Sequence, residues 1–572
     1  MDLTDVRRLT GVNFLHDRCG AIAEAVVEDD RKGVAVCLWR ERMRSLLDAV
    51  GWNDEEIVVR CYPGGASLMT TAPIDGLFVA ADMIEFAWSQ VVSDIEGLPH
   101  TDPASEIEGF RQEIAETRNP NLILIAEEAE RRGISYLGGD GTVSLGLGKN
   151  AKVWPEEELP THDAIDWDEI GDIPVAMVTG TNGKSTTVRI TAALCSAAGH
   201  VTSLSSSDWV RVGDEILDEG DYSGPAGARL AVRDPRVEMA VIETARGGLM
   251  RRGLPVPRAD ACLITNIAAD HLGSYGITDV PTLADAKFLL SRAIKPGGRL
   301  ILNADDPFLV DRGPRFGGAL TWYGLSFNDR VLSAWLRDGQ HAAFMRDEML
   351  FYACDGKEHE ILPVVDFEPA MRGAARYNIS NALGAISLAV ALGIPFDAIS
   401  KGLTSFKTTP EENPGRGNLL EVGGITVLID FAHNPAGVLA LAEAVKSIPT
   451  KRRLFLLGHA GDRSDDDIRD TVRAVCSSEP DMTIVKELPK HLRGRNAGEV
   501  TALCLEELKK LNVPDTSVMT AEDEIQSVHK ALEWANPGDL LVLLLHEDRK
   551  EAMALLDILR TSKWQAGDPL PV

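Results

Sequence analysis

The sequence predicts an α/β protein with three domains: an N-terminal α+β domain, a central α/β domain with a mostly parallel sheet, and a C-terminal Rossmann-like α/β domain. From Val175 onward, short apolar runs alternate with helical stretches, as in parallel sheets flanked by helices. The stretch AMVTGTNGKSTTVRI at 176–190 joins a strand-like run to a helix through a glycine-rich turn. That turn carries a lysine and hydroxyls, and turns of this kind bind phosphate.

Size and charge limit the function classes. A chain of 572 residues is long enough for about three or four domains. The net charge of −29 argues against nucleic acid and anionic membranes as partners. No apolar run approaches the roughly 18 residues that span a bilayer, and the N-terminus lacks a signal-peptide core. We therefore expect a cytoplasmic protein whose eight scattered cysteines stay reduced.

Composition and periodicity set the domain boundaries. We expect an N-terminal domain at 1–154, a linker at 155–173, a central domain at 174–408 and a C-terminal domain at 409–572. The linker is acidic and interrupted by prolines. The central strands include EMAVIET, DACLITNIA and RLILNADDP, and PTLADAKFLLSRAIKPGG is expected to be a helix that stops at its glycines. ITVLIDFAHNP, RRLFLLGHAGDR, MTIVKE and DLLVLLLHED are the C-terminal strands.

The glycine-rich turn predicts a site for ATP and Mg²⁺. Gly180 and Gly183 permit close approach, and the N–H groups of Thr181 to Ser185 are expected to turn toward an anion. Lys184 would neutralise phosphate oxygens, and Ser185 or Thr186 would hold Mg²⁺. The turn is shorter than the common G-x-x-x-x-G-K-[ST] pattern, because Val178 stands where the first glycine is expected.

Other polar residues follow strands, where ligands of open α/β sheets bind. Glu243 ends a buried strand and is either a Mg²⁺ ligand or the partner of Arg246. Asp305 and Asp306 either hold a nucleotide or cap the next helix. The remaining candidates at such positions, or nearby in the sequence, are Asn266, Asp270, His271, Lys287, Asn303, Arg416, Asp430, His433, Asn434, Asp462 and Arg463.

These motifs, in this order, resemble the Mur ligase family over roughly residues 170 to 550. They are GTNGKST, a strand-end Glu, TN…DH, a later AK, NADD, RYNISNAL, GR-N, DFAHNP and GxxGDR. The short phosphate loop is the normal pattern of that family. ETARGGLMRRGL, IKPGGRLILNADDP and GDRSDDDIRD are most similar to the Mur-type half of the cyanophycin synthetases. LTGVNF and residues 129–154 resemble segments that border the ATP-grasp unit of those enzymes, and here the linker leaves no room for that unit.

The resemblance implies an ATP-dependent carbon–nitrogen ligase of the acid–amino-acid type. A carboxylate or acidic peptide would be activated as an acyl phosphate and coupled to an amino acid, with domain closure excluding water. Catalytic roles fall to Lys184, Glu243, His271, Lys287 and Arg416. Metal ligands would be Ser185, Glu243, His271 and a carbamylated Lys287. The nucleotide would meet Gly180, Thr181, Asn182, Gly183, Lys184, Ser185, Thr186, Asn303, Asn378, Arg416, Asp430, His433 and Asn434.

Three alternatives remain at this stage. A folylpolyglutamate or cell-wall-precursor ligase keeps the enzyme class, although ETARGG and GDRSDDDIRD weigh against it. A nucleotide-binding scaffold without catalysis is disfavoured by the intact lysines and acids, and a P-loop hydrolase or kinase is disfavoured by DFAHNP. The sequence leaves open whether the protein is a homo-oligomer.

Overall fold

The computed structural model describes residues 1–327 and 330–570. The chain divides into two compact units. The first contains Met1–Ile267, Leu272–Trp322 and Gly384–Ala398, and the second contains Ala268–His271, Tyr323–Leu383 and the chain from Ile399 onward. Among the described residues, no helix combines the length and apolar character needed to cross a membrane.

The first unit opens with a four-stranded antiparallel sheet in the order β1-β2-β4-β3. Trp39, Met43, Leu68 and Met83 belong to the core between this sheet and its two helices. The elements are β1 (Asp2–Leu9), β2 (Gly20–Val26), α1 (Asp29–Ala49), β3 (Ile57–Tyr62), β4 (Gly65–Thr71) and α2 (Leu77–Glu96). This part has the expected α+β character.

A small three-stranded sheet and two helices follow. They are α3 (Pro103–Thr117), α4 (Pro120–Arg132), β5 (Tyr136–Leu137), β6 (Thr142–Leu145) and β7 (Lys152–Pro155). The acidic stretch at 155–174 forms short 3₁₀ turns, and its Ile165 and Trp167 are buried against Ile125, Ala129 and Leu145. This stretch therefore packs onto the small sheet along part of its length.

The central sheet of the first unit runs in the order β11-β10-β9-β12-β8-β13-β14. The five strands from β9 to β14 in this order are parallel, whereas β10 and β11 pair antiparallel at one end. The elements are β8 (Val175–Thr179), α5 (Lys184–Ala197), β9 (Thr202–Ser205), β10 (Trp209–Val212), β11 (Glu215–Glu219), α6 (Pro225–Arg233), β12 (Met239–Glu243), α7 (Arg246–Arg252), β13 (Ala259–Ile264), α8 (Val280–Phe288), β14 (Ile294–Asn303) and α9 (Pro307–Arg312). The mostly parallel central sheet is confirmed.

One expected helix is shorter than its sequence pattern suggests. The helix predicted over PTLADAKFLLSRAIKPGG ends as α8 at Phe288 and continues as a 3₁₀ turn, and Ile294–Gly298 belong to β14 instead. Pro296 explains the difference, because it lacks an N–H and disfavours helical geometry at the preceding residue.

The remaining elements lie mainly in the second unit, while β15, α11 and α12 have residues in both units. In chain order they are β15 (Ala319–Gly324), α10 (Arg330–Arg337), β16 (Ala342–Arg346), β17 (Met349–Cys354), β18 (Lys357–Pro363), α11 (Arg376–Ala391), α12 (Phe396–Ser405), β19 (Arg416–Val422), β20 (Ile425–Asp430), α13 (Pro435–Lys446), β21 (Arg453–Leu457), α14 (Asp465–Cys476), β22 (Met482–Lys486), α15 (Glu499–Lys510), β23 (Val518–Ala521), α16 (Glu524–Trp534), β24 (Leu540–Leu544) and α17 (Arg549–Thr561).

The C-terminal sheet has the order β19-β20-β24-β21-β22-β23. All its strands are parallel except β19, which pairs antiparallel with β20. Apolar helices cover both faces of the sheet, so the Rossmann-like prediction is confirmed. The carboxyl ends of β20, β24 and β21 are neighbours, which brings the loops after Asp430, Leu544 and Leu457 together.

Candidate functional site

The glycine-rich turn lies between β8 and α5, in the middle of the central sheet. Gly183 is the N-cap of α5 with φ +86°, and Gly180 has φ +146°. A Cβ at Gly180 would lie 1.8 Å from Oγ1 of Thr265, so only glycine fits there. The first N–H groups of α5 have no carbonyl partner within the helix, and they give this turn an anion-binding end.

Thr265 and Asn266, which follow β13, brace the turn from the neighbouring strand. The N–H groups of Thr181 and Asn182 donate to the carbonyl and the Oδ1 of Asn266, each at 2.9 Å. Thr265 Oγ1 and Asn266 Nδ2 donate back to the carbonyl of Asn182, at 2.6 and 2.9 Å. The prediction that the N–H groups of Thr181 and Asn182 face an anion is therefore wrong, because both already bond to Asn266.

Two lysines contact carbonyl groups of the turn. Lys184 Nζ donates to the carbonyl of Thr181 at 2.9 Å, which places its charge over the loop. Lys287, which is buried on α8, donates from Nζ to the carbonyl of Gly180 at 2.7 Å. In this state Lys287 is a hydrogen-bond donor, whereas a role as metal ligand requires the carbamate that the sequence resemblance implies.

A chain of oxygen groups connects the start of α5 to the end of β12. Ser185 Oγ lies 3.0 Å from Ser207 Oγ, and the N–H of Ser207 donates to Oε2 of Glu243 at 3.2 Å. Glu243 is only 2% exposed, and a buried carboxylate is costly unless it is paired. The neighbouring Thr244 has a buried Oγ1 without a hydrogen-bond partner among the described residues. Hydroxyl and carboxylate oxygens of this kind fit Mg²⁺.

Ser207 is a site residue that sequence reasoning missed. It follows β9, in the run SSSD at 205–208. Asp208, the last residue of this run, forms a buried ion pair with Arg189, and the two side chains are 6% and 2% exposed. The available signal was the position of these polar residues directly after a buried strand.

The NADD stretch supports the chain after β13 and caps a helix. Asn303 Nδ2 donates to the carbonyl of Thr265 at 3.0 Å. Asp306 accepts from the N–H groups of Phe308 and Leu309 at the start of α9, and from the N–H of Ile267 at 2.6 Å. Burial raises the pKa of Asp306, and these three donors oppose that rise. Of the two roles expected for the aspartates, the structure assigns capping to Asp306.

In the second unit, Arg463 contacts both Asp270 and His271. One guanidinium nitrogen lies 2.9 Å from Oδ1 of Asp270, and the other lies 3.0 Å from Nε2 of His271. Because a guanidinium only donates, this contact requires Nε2 of His271 to accept. Asp462 pairs with Arg493 at 2.8 Å. Asp270, His271 and His433 each offer a ligand atom within 4.8 Å of the others. Nε2 of His271 faces Arg463, and Nδ1 is the other nitrogen of that ring that can bind a metal.

Three histidines lie after adjacent strands of the C-terminal sheet. His433 Nδ1 donates to the carbonyl of Phe431 at 3.1 Å, and His546 Nε2 donates to that of Ala432 at 3.1 Å. Burial lowers the pKa of His433 to about 4 and that of His459 to about 3, and it also lowers the pKa of His546. Three neutral imidazoles therefore line this end of the sheet at neutral pH; His459 and His546 are additions to the predicted set.

Arg416 and Asp430 lie beside these histidines. The Arg416 guanidinium stacks over the ring of Phe431 at 4.4 Å. Burial raises the pKa of Asp430, while the charge of Arg416 and the N–H of Ala432 oppose the rise. Arg416 is thus held at a strand end with its charge next to a carboxyl group, and its contact with a phosphate stays a prediction.

Two residues that are predicted to contact the nucleotide, Asn378 and Asn434, make hydrogen bonds within the protein. Asn434 accepts from the N–H of Gly437 at 2.9 Å and caps α13. Asn378, which is 2% exposed, donates to the carbonyl of Pro369 at 2.9 Å and accepts from Asn381 at 3.3 Å. Contact of Asn378 and Asn434 with a nucleotide stays a prediction.

Comparison with known proteins identifies the family. Residues 178–389 match the Mur ligase middle domain, and residues 415–544 match the glutamate ligase domain of Mur ligases. The chain belongs to the Mur ligase family. The matched regions contain Lys184, Glu243, Lys287, Arg416 and His433, and the family resemblance expected from the motifs is confirmed.

The known relatives of this chain differ in length. The cyanophycin synthetase of Trichormus variabilis is 32% identical over 391 residues, which is 68% of this chain and 43% of that enzyme. A UDP-N-acetylmuramoyl-L-alanyl-D-glutamate–2,6-diaminopimelate ligase of Geobacter metallireducens is 26% identical over 66% of this chain and 74% of its own length. The structure of E. coli FolC in complex with ADP aligns with a TM-score of 0.49 and 20% identity, over 68% of this chain and 90% of that one. The chain spans less than half the length of the cyanophycin synthetases that it matches.

Proposed function

We propose that the protein is an ATP-dependent amide ligase that activates a carboxylate as an acyl phosphate and couples it to the amine of an amino acid. The observation that carries the proposal is the braced phosphate loop, with Ser185 connected through Ser207 to the buried Glu243. Membership of the Mur ligase family supports the same reaction. ADP and inorganic phosphate are the other products.

In the first step, a carboxylate oxygen attacks the γ-phosphorus of ATP, and the bond from that phosphorus to the oxygen of ADP breaks. Both reactants are anions, so the step needs positive charge between them. Lys184 and the N–H groups at the start of α5 supply it from the protein. Ser185 and Glu243 would hold Mg²⁺, which when bound neutralises phosphate oxygens.

In the second step, the amine nitrogen attacks the acyl carbon and forms a tetrahedral intermediate. The bond from carbon to the phosphate oxygen then breaks, phosphate leaves, and the nitrogen loses a proton to give the amide. We propose that Arg416 stabilises the negative charge on the phosphate. On the basis of the family motifs, we also assign His271, Asp430 and His433 to this reaction. Lys287 would join the metal ligands only as a carbamate.

The domain boundaries belong to this proposal. Residues 174–408 form the ATP-binding domain and 409–572 the C-terminal ligase domain, preceded by the domain at 1–154 and the linker at 155–173. The substrates are small molecules, namely an amino acid and a carboxylate or acidic peptide. We place the enzyme in the cytoplasm.

A substrate panel tests the proposal. Acidic peptides and amino acids are combined pairwise with ATP and Mg²⁺, phosphate release is measured, and products are identified by mass spectrometry. We expect phosphate release and a new amide only when both a carboxylate and an amine are present, and no turnover in Lys184→Ala. Equal ATP consumption without either substrate, or full activity in Lys184→Ala, would contradict the ligase assignment.

A further inference from the structure

Two arginines of the N-terminal sheet bond to main-chain carbonyls of the central domain within the first unit. Arg7, on β1, donates from Nε and one terminal nitrogen to the carbonyl of Met250, at 3.2 and 3.1 Å. Arg60, on β3, donates to the carbonyls of Tyr275 and Gly276, at 2.5 and 2.9 Å. Each arginine therefore makes two charge-assisted hydrogen bonds to a segment more than 200 residues later in the chain.

A buried carboxylate fixes the geometry of both arginines. Glu24, on β2, is 5% exposed and accepts from Arg7 at 2.7 Å and from Ser67 Oγ at 2.8 Å. It also accepts from the hydroxyl of Tyr62 at 3.1 Å, and Arg60 donates to Ser67 Oγ at 3.3 Å. Because all these groups are shared, neither arginine can move without breaking bonds of the network.

The carbonyls that the arginines contact lie four to seven residues after candidate metal residues in the sequence. Met250 is on α7, the helix that follows Glu243. Tyr275 and Gly276 follow His271 after a few residues. Tyr275 has φ +55°, a conformation that non-glycine residues keep only when their surroundings impose it. The Arg7 guanidinium lies 5.1 Å from the centre of the Tyr275 ring, so this residue is held through both its ring and its carbonyl.

Gly276 shows how closely the two parts approach. It has φ +62°, and a Cβ there would lie 2.3 Å from the ring of Tyr62 and 2.7 Å from the Arg60 guanidinium. The turn at 273–277 is thus shaped against the side chains of β3.

The LTGVNF segment adds contacts in the opposite direction, because its carbonyls accept hydrogen bonds from the central domain. The carbonyl of Val12 accepts from the N–H of Leu254 at 2.9 Å, just beyond α7. The carbonyl of Asn13 accepts from Arg292 at 3.1 Å, and Arg292 lies in the 3₁₀ turn that continues from α8, the helix of Lys287. The N-terminal part therefore touches the chain after each of the three residues Glu243, His271 and Lys287.

We propose that the N-terminal domain is a positioning element of the ligase, in which Arg7, Glu24 and Arg60 fix the segments that follow Glu243 and His271. These are positioning residues, because Arg7 and Arg60 contact main-chain carbonyls of those segments and Glu24 holds Arg7. The inference rests on the proposed function for its effect on catalysis. Its structural part, the restraint of 272–277 by Arg60, holds whatever the reaction is.

The test compares Arg60→Met and Arg60→Lys with a matched control in the full-length protein. The control is Arg18→Met, because Arg18 makes two hydrogen bonds of 2.8 Å to Glu55 within the N-terminal sheet region. Amide hydrogen exchange of residues 244–254 and 272–277 is measured by mass spectrometry, together with kcat and the KM for ATP on the active substrate pair.

We expect Arg60→Met to speed exchange in 272–277 and to lower kcat roughly 10- to 100-fold, the scale of a small misplacement of catalytic groups. The KM for ATP should change by less than about threefold, because Thr265 and Asn266 brace the phosphate loop and are unchanged. Arg60→Lys, which keeps the charge but loses the paired geometry, should be intermediate. Arg18→Met should match the wild type in both measurements.

Three outcomes would overturn the positioning role. They are wild-type exchange in 272–277 of Arg60→Met, equally fast exchange in Arg18→Met, and an unchanged kcat despite faster exchange. If Arg60→Met does not fold, Arg60→Lys decides by the same criteria. If the wild type forms no amide with any substrate pair, the proposed function fails, and the exchange comparison still tests the restraint by Arg60.

Discussion

At the scale of single residues, the proposed function gives the buried Glu243 the role of a metal ligand. Its carboxylate is 2% exposed, and the N–H of Ser207 supplies one hydrogen bond to it. A buried charge without a cation costs several kcal/mol, so the Mg²⁺ site that we propose would account for a glutamate at the end of this apolar strand. The same residue would then control how tightly the metal binds.

We predict that Glu243→Gln raises the Mg²⁺ concentration for half-maximal ligation by roughly 10- to 100-fold, because an amide oxygen carries no net charge for the cation. A titration of Mg²⁺ at saturating ATP measures the change. Glu238→Gln is the control, since Glu238 lies just before the same strand and pairs with Lys149 at 3.0 Å. An unchanged Mg²⁺ dependence in Glu243→Gln would remove Glu243 from the metal site.

The positions of some site residues could be predicted from the sequence, and those of others could not. Gly180, Lys184, Ser185 and Glu243 lie at strand and helix ends that periodicity locates, so their grouping could be anticipated. The bond from Lys287 to the carbonyl of Gly180 could not, because 107 residues separate them and local patterns carry no information on such packing. For Asp306 the local pattern was visible but did not decide between two roles. A strand-end aspartate that caps a helix has the same local pattern as one that binds a ligand.

At the scale of elements, the phosphate loop depends on the strand beside it. Four hydrogen bonds connect the loop to Thr265 and Asn266, and Asn303 supports Thr265 in turn. A loop with two glycines, Gly180 and Gly183, has much conformational freedom to lose. The TN pair that follows β13 limits this freedom before the nucleotide arrives, which is preorganisation.

We predict that Asn266→Ala raises the KM for ATP roughly tenfold, with a smaller effect on kcat, because two side-chain hydrogen bonds to Asn182 are lost. Steady-state kinetics over a range of ATP concentrations measure both constants. Asn121→Ala is the matched control, since Asn121 also makes two side-chain bonds to the main chain, to Pro160 and His162. Equal effects of the two substitutions would show that the bracing has no specific role.

The elements themselves followed largely from the sequence. The strands β8, β12, β13 and β20 occupy the apolar runs that predicted them. The exception at Ile294–Gly298 arose because helical periodicity continues past the point where Pro296 prevents a helix. The contacts of β1 and β3 with residues 250 and 275–276 were not predictable, since nothing local marks which carbonyl an arginine will reach.

At the scale of the whole molecule, the proposed reaction involves residues of several parts of the chain. The first unit holds the phosphate loop, Glu243 and Lys287, and within it the N-terminal sheet restrains the segments next to them. The second unit holds Arg463 with Asp270 and His271, and the neutral histidines after β20, β21 and β24. The proposed function gives these parts a common purpose, which is transfer of a phosphoryl group to a carboxylate before amide formation.

The most direct test of that purpose follows oxygen atoms. The carboxylate substrate that supports turnover is labelled with ¹⁸O, the reaction is run to completion, and the released phosphate is analysed by mass spectrometry. Attack of the carboxylate on the γ-phosphorus predicts that each released phosphate carries one oxygen from the substrate. Phosphate without substrate oxygen, at full amide yield, would contradict activation through an acyl phosphate.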